Sequence, residues 1–200
     1  VDLYECTFEV SYLKRAIALN ETVMKKFYDN DNGGFFDVDP TVKDIIINTK
    51  EIYDGAEPSG NSVQLLNLLR LCALTDNSKL KDAAEKSLKL FAEDLRRMPF
   101  SSPEMLCSLN FFLTDPIEII ISGDRTDQKF IELSEYVRSF YLPQSAMMNS
   151  SEEMTELFPF IKNIVEKSDE PLVYFCRNHA CSLPTNDKDK IKELLSNETV

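Results

Sequence analysis

The sequence is poor in the features that mark several large classes of protein. Positive charge is short: 22 lysines and arginines stand against 34 aspartates and glutamates, for a net charge of −12. With a pI near 4.6 no basic stripe is left for phosphate contacts, so nucleic acid and anionic membrane surfaces are not expected partners, and a neutral or cationic one is favoured. Long apolar runs are missing too. The longest, Leu65 to Leu74, is interrupted by Asn67, Arg70 and Cys72, short of the roughly 20 apolar residues that a membrane span needs. The opening VDLYECTFEV has neither the charged-then-apolar pattern of a signal peptide nor an initiating methionine, which points to a fragment or a processed chain.

Histidine is confined to His179 and glycine to five positions. A nucleophilic triad would have only that histidine to use, and no GxSxG turn accompanies it. SGDRTD, after the apolar run IEIII, holds a single glycine. A strand, turn and helix in that order present amides to anions, but one glycine falls short of the dinucleotide and phosphate-loop patterns, and the segment reads as a connection. DNDNGG is rich in acids yet lacks the spacing and closing glutamate of a calcium loop, and reads as a helix stop. Five cysteines, an odd number scattered through 200 residues, do not form the dense even framework of a small secreted domain. Reduced thiols are the expectation, and with them the cell interior, cytoplasmic or mitochondrial. No cofactor and no metal are called for by any of these patterns.

What is present is a globular composition, 43% apolar and 10% aromatic, sufficient for a core of ordinary size. From Glu5 to Tyr28, apolar residues at Val10, Leu13, Ile17, Met24 and Phe27 predict one long helix ending at DNDNGG. Asp44 to Thr49, DIIINT, is β-branched without a helical period and predicts a short strand or hairpin arm. Leucines from Leu65 to Leu71 surround the next helix, capped by Asn61 or Ser62, and predict burial among other helices. Its successor shows Leu80, Ala84, Leu88, Phe91 and Leu95 on one face and charge on the other, an outer helix. SSPEMLCSLNFFL restarts a helix with a serine cap and a proline in the first turn. At Asp115 the grammar changes. IEIII predicts a strand, Phe130 to Phe140 an amphipathic helix, 146–148 and 172–175 further strands, and 191–195 a closing helix.

Two clusters could carry chemistry. In KEIYDGAEPSGNS, residues 50–62, Asp54 and Glu57 are spaced so that a turn would bring their carboxylates together as acid and base, the arrangement of glycosidases. Lys50 would orient them, Tyr53, Phe35 and Phe36 would offer a face to a sugar ring, and Ser59 and Asn61 would complete the binding surface. The same residues also make a plain turn, in which Gly55, Pro58 and Gly60 bend the chain, Ser59 and Asn61 cap the following helix and the acids are solvated. In CRNHAC, Cys176 and Cys181 with Arg177 and His179 are compatible with a disulfide, a redox pair, a metal site or ordinary reduced cysteines. The spacing matches no paired zinc knuckle.

GGFFD, INTKEIYDGAEPSGNSVQLLNLLRL, PIEIIISGD and VYFCRNHAC, in this order, resemble the C-terminal part of the spermatogenesis-associated protein 20 family. The resemblance implies a longer protein with an N-terminal thioredoxin-like domain, absent from this chain, followed by a helical domain similar to the six-hairpin toroids of glycosidases and sugar epimerases. The expected fold is therefore mainly α. Residues 1–115 would form the last helical hairpins of an (α/α)6-toroid-like domain and 116–200 a small C-terminal α/β segment. Two functions are expected from this frame: carbohydrate binding or processing through the acidic loop, or a non-catalytic scaffold working with the thioredoxin-like domain, with a role in spermatogenesis. A thiol relay from Cys176 and Cys181 to that upstream domain is a third.

Overall fold

The computed structural model describes residues 1–166, 168–177 and 180–196, and the chain divides into two compact units. Ser11–Thr114 builds the first, with Val1, and the second runs from Asp115 onward but also takes Asp2–Val10. Where one long helix is predicted there are two, α1 (Asp2–Thr7) and α2 (Val10–Phe27). Phe8 breaks them. Its φ is 55°, its N–H donates to the Tyr4 carbonyl at 2.6 Å, and the Thr7 hydroxyl accepts the Glu9 N–H at 3.2 Å. A left-handed non-glycine residue persists only where its surroundings hold it. Here they do so by burial: the Phe8 ring is 3% exposed and meets Tyr4 and Phe130 edge-on at centroid distances of 6.2 and 5.7 Å.

In the first unit α3 (Gly60–Thr75) and α4 (Ser78–Arg97) form a tight antiparallel hairpin, and α5 (Pro103–Leu113) packs on α3. Asp76 turns the hairpin in the left-handed conformation, and the Asn77 side chain then caps α4 by accepting the Lys79 N–H. The core joins Leu65, Leu68 and Leu69 to Ala84, Leu88 and Phe91 and to Met105 and Phe111, so the inner and outer helices are those the leucine spacing predicts. Two local expectations fail. Ser59 caps α3, with its hydroxyl accepting the Ser62 N–H, and neither Asn61 nor Ser62 does, because the helix begins one position before Asn61. Asp44–Thr49 is not a strand: Ile46 is 98% and Ile47 75% exposed. A β-branched run needs a pleated face to bury and a partner strand to pair with, and residues 37–49 find neither.

The second unit holds β1 (Ile117–Ile121), α6 (Gln128–Arg138), β2 (Ser145–Asn149), α7 (Glu152–Leu157), α8 (Phe160–Ile164), β3 (Val173–Arg177), β4 (Ala180–Cys181) and α9 (Lys188–Ser196). The sheet order is β2-β1-β3-β4. β1 pairs parallel with β2 through the α6 crossover, Ile119 opposite Met147, and antiparallel with β3, Ile119 opposite Phe175. Ile119, Ile120 and Ile121 are fully buried, as a central strand covered on both faces requires. The Glu5 carboxylate on α1 accepts the Met147 N–H at 3.1 Å and its carbonyl accepts from Arg138 at 2.8 Å, while Glu9 pairs with Arg125 at 2.8 Å. The fold is mainly α with a small mixed α/β part. Among the described residues no helix is long and apolar enough to cross a membrane.

One turn in this fold admits no side chain. Gly33 sits at φ +83°, and a Cβ there would lie 2.9 Å from the Lys86 carbonyl carbon, which is backbone and cannot swing away. Gly60, at the start of α3, has nothing within 4 Å of that position. We expect Gly33→Ala to lower the unfolding free energy by about 2 kcal/mol or more and Gly60→Ala to be neutral or slightly stabilising. Urea unfolding of the two variants checks both; equal midpoints would contradict the close approach.

Candidate functional site

The loop of residues 50–62 is held almost wholly by its own polar side chains. Asn61 is 1% exposed. Its Oδ1 accepts the Phe35 N–H at 2.7 Å while its Nδ2 donates to the Phe35 carbonyl at 2.9 Å and to the Glu51 carbonyl at 2.9 Å. A side-chain amide thus pairs with one residue's backbone as a neighbouring strand would, and satisfies the N–H and carbonyl of Phe35 that its single antiparallel bridge to Tyr28 leaves open. Phe35 itself is 4% exposed and stacks on Tyr28 with centroids 5.2 Å apart, so it has no free face for a sugar.

Asp54 has a similar task. Its Oδ1 accepts the Ser59 N–H at 2.8 Å and its Oδ2 accepts the Glu104 N–H at 2.8 Å. Glu104 is the second residue of α5, so the carboxylate meets one of the unpaired amides at a positive helix end. Ser102, the residue expected to cap α5, makes no capping bond. Its hydroxyl instead donates to the Ile52 carbonyl at 2.7 Å, and the Asp54 N–H donates to the Ser101 carbonyl at 2.7 Å. Loop and helix start are stitched in both directions. Glu57 is exposed, its carbonyl accepting the Gly55 N–H at 3.1 Å. Tyr53 is 62% exposed.

Lys50 turns away from both acids. Its Nζ lies 2.7 Å from the Asp29 carboxylate and 2.6 Å from the Gly33 carbonyl, and 4.7 Å from the centroid of the Phe36 ring. The Asp29 and Lys50 side chains are only 12% and 14% exposed, so water screens the pair weakly. The Lys50 ammonium holds the Asp29 carboxyl well below the usual carboxylate range; burial opposes it, and the Asn32 side chain and the Asn32 and Asp31 amides add to it. The first acid of DNDNGG, Asp29, therefore anchors a turn.

Of the residues singled out for sugar recognition, Phe36 and Lys50 come together. They line a depression of about 380 Å³ with Asn32, Asn48, Leu90, Phe91 and Asp94. Asp54, Glu57, Tyr53, Ser59 and Asn61 do not line it. Asn48 and Asp94 carry no local signal in the sequence: Asn48 ends a β-branched run, and Asp94 sits on the charged face of α4. Asp29 could have been found, since an aspartate opening a glycine-ended turn accepts amides two and three residues on, as Asp29 does from Asp31 and Asn32.

In the second unit Cys176 and Cys181 are joined as a disulfide, where the sequence favours reduced cysteines. They face each other in register across β3 and β4, and Cys6, Cys72 and Cys107 take no part in a disulfide. His179 lies outside the described residues. Among the described residues no group of three histidine, cysteine or acidic side chains is placed to hold a metal. The SGDRTD segment is a connection to α6, with Asp127 accepting the Lys129 N–H as its cap.

These features define a class: a chain of two units, one of helical hairpins braced by a polar loop and one a small mixed sheet stapled at its edge. The chain is 33% identical over 200 residues to the human spermatogenesis-associated protein 20 and 34% identical to its rat counterpart, in each case over 98% of this chain and 25% of the relative. It is 25% identical over 198 residues to an uncharacterised protein of Caenorhabditis elegans, over 98% of this chain and 27% of that one. No family profile matches. The chain belongs to the spermatogenesis-associated protein 20 family and spans about a quarter of the length of the curated relatives it matches.

Two outcomes are expected of the loop. Asn61→Ala strands three backbone groups and lowers the unfolding free energy by about 2 to 4 kcal/mol, more than the roughly 1 kcal/mol for removing the Ser59 cap. Urea midpoints compare them. For Asp29 the folded pKa is depressed, so its stabilisation is present above the unfolded value near 4 and is lost as pH falls from there through the folded pKa. Lys50→Met removes the main cause of the depression, so the stability of the variant should fall less steeply below pH 4. Parallel slopes for variant and parent would exclude this pair as a source of acid sensitivity.

Proposed function

We propose that the helical unit is a non-catalytic scaffold, a protein-interaction module that works beside a thioredoxin-like domain of the full-length protein, and that it serves the spermatogenesis with which its relatives are named. One observation carries this reading. The side chains of the 50–62 loop best suited to chemistry are engaged with backbone: Asp54 by two amides, Asn61 by three backbone groups, and Ser59 by the start of α3. A carboxylate with each oxygen accepting a backbone N–H is committed to holding the loop and the start of α5. Its partner in a two-carboxylate mechanism, Glu57, is solvated on the surface. The exposed Ile46 and Ile47, apolar and in a loop, suit docking by a protein better than by a sugar. The arrangement of the helices as the last hairpins of an (α/α)6 toroid belongs to the same proposal.

The Phe36 depression supports a second reading, binding of a small carbohydrate without turnover. The Phe36 ring lies there with Asn32, Asn48 and Asp94, whose hydrogen-bonding capacity beyond the bonds they make to Asp29, Val38 and Arg97 a sugar would use, and such a ligand would not depend on Asp54 and Glu57.

Thermal denaturation of the full-length protein against a panel of mono- and oligosaccharides separates the readings, because binding to the folded state raises the midpoint by mass action. The scaffold predicts no shift with any sugar, and a loss of about 1 to 2 kcal/mol of stability in Asp54→Asn from the weakened helix start. A shift abolished by Phe36→Ala supports the second reading. A shift abolished by Asp54→Asn or Glu57→Gln, with turnover, would overturn both.

A further inference from the structure

We propose that the Cys176–Cys181 disulfide is a thiol–disulfide exchange site, attacked at Cys181 by an external thiol. The argument starts from what the bond does for the fold. It spans a sequence separation of five, and a cross-link constrains the unfolded chain least when the loop it closes is short. The strands it joins are already tied: the Ser182 N–H donates to the Phe175 carbonyl at 2.9 Å, and Val173 and Thr185 exchange two bonds at 2.9 and 3.1 Å. A staple placed for stability would bridge distant segments, and this one repeats a connection that backbone bonds already make.

Its surroundings are asymmetric in the way exchange requires. Cys176 is 0% exposed on β3, inside the sheet, while Cys181 is exposed on β4, a two-residue strand at the sheet margin. An incoming thiolate approaches one sulfur along the axis of the bond and expels the other. Only the Cys181 sulfur belongs to an exposed residue. The thiolate therefore adds to Cys181, the S–S bond breaks, and Cys176 leaves with the bonding pair. The released Cys176 thiolate takes a proton from solvent, which completes the step. A second external thiolate then attacks the mixed disulfide at its own sulfur, frees Cys181 and departs as the oxidised pair. Two thiols are oxidised and one protein disulfide is reduced to two thiols; no other reactant is needed. The co-reactant is a thiol of low molecular weight or a protein dithiol, and the chemistry is common to both.

The test uses the full-length protein purified without reductant and glutathione as the probe. Samples held under native conditions at rising ratios of reduced to oxidised glutathione are quenched in acid, alkylated and mapped by mass spectrometry. The expected result is that Cys176 and Cys181 open as a pair while the protein stays folded, its midpoint of thermal unfolding falling by no more than a few degrees. Early quenches should find glutathione on Cys181 and not on Cys176. Cys176→Ser should retain glutathione at Cys181, and Cys181→Ser should not take it up at Cys176. If Cys176→Ser fails to fold, the early quenches of the parent decide the order. A pair that opens only in denaturant is a structural cross-link, and glutathione found first on Cys176 reverses the assignment; either overturns the proposal. A protein dithiol such as reduced thioredoxin, opening the bond far faster than glutathione at equal thiol concentration, would identify a protein as the natural reductant.

Discussion

A backbone that crosses the ends of helices without joining a sheet must still find a partner for every buried amide and carbonyl. In the helical unit this constraint falls on Asn61. Its one amide group closes three backbone bonds to Phe35 and Glu51, and the position of almost everything in the loop follows from that. Phe35 is drawn against Tyr28 and into the core, Phe36 is left facing Lys50, and the Glu51 carbonyl is tied to the start of α3. An apolar residue at 61 would satisfy the core and leave the loop without a frame.

Asp54 and Ser102 show how such a frame redistributes roles. Each is the residue type that caps helices, and each lies at or near a helix start, yet the capping bond of α5 comes from Asp54, fifty positions upstream of the amide it accepts. Ser102, at the cap position, reaches back to the loop instead. The exchange ties the two segments twice for the same number of polar groups. It also commits both carboxylate oxygens of Asp54 to backbone N–H groups, the task of a brace.

Much of this architecture is legible in the sequence. The apolar spacing from Leu65 to Leu95 marks an inner and an outer helix, and IEIII with the helix after it marks a strand and its crossover, because in both the burial pattern is periodic and local. What escapes is non-local. DIIINT has the composition of a strand, but strand formation depends on a neighbour, and none is supplied. Phe8 breaks a helix whose periodicity runs on undisturbed, because Tyr4 and Phe130 favour a conformation that propensity alone would reject. The sequence also presents Asp54 and Glu57 as a pair by proximity, whereas Asp54 is committed to Glu104, a partner no window around the loop contains. The oxidation state of Cys176 and Cys181 is a matter of pairing across strands and of surroundings, and spacing alone leaves it open.

The second unit is discontinuous in the chain, since Asp2–Val10 belongs with residues beyond 114. During synthesis, α1 is therefore made long before the sheet that it completes. At ordinary elongation rates the interval to the end of β2 is on the order of ten seconds, long enough for the intervening helices to fold first. Until then Tyr4 and Phe8, both buried in the finished protein, have no core to enter. The unit is thus closed by its earliest residues, which wait on strands synthesised only after the whole helical unit.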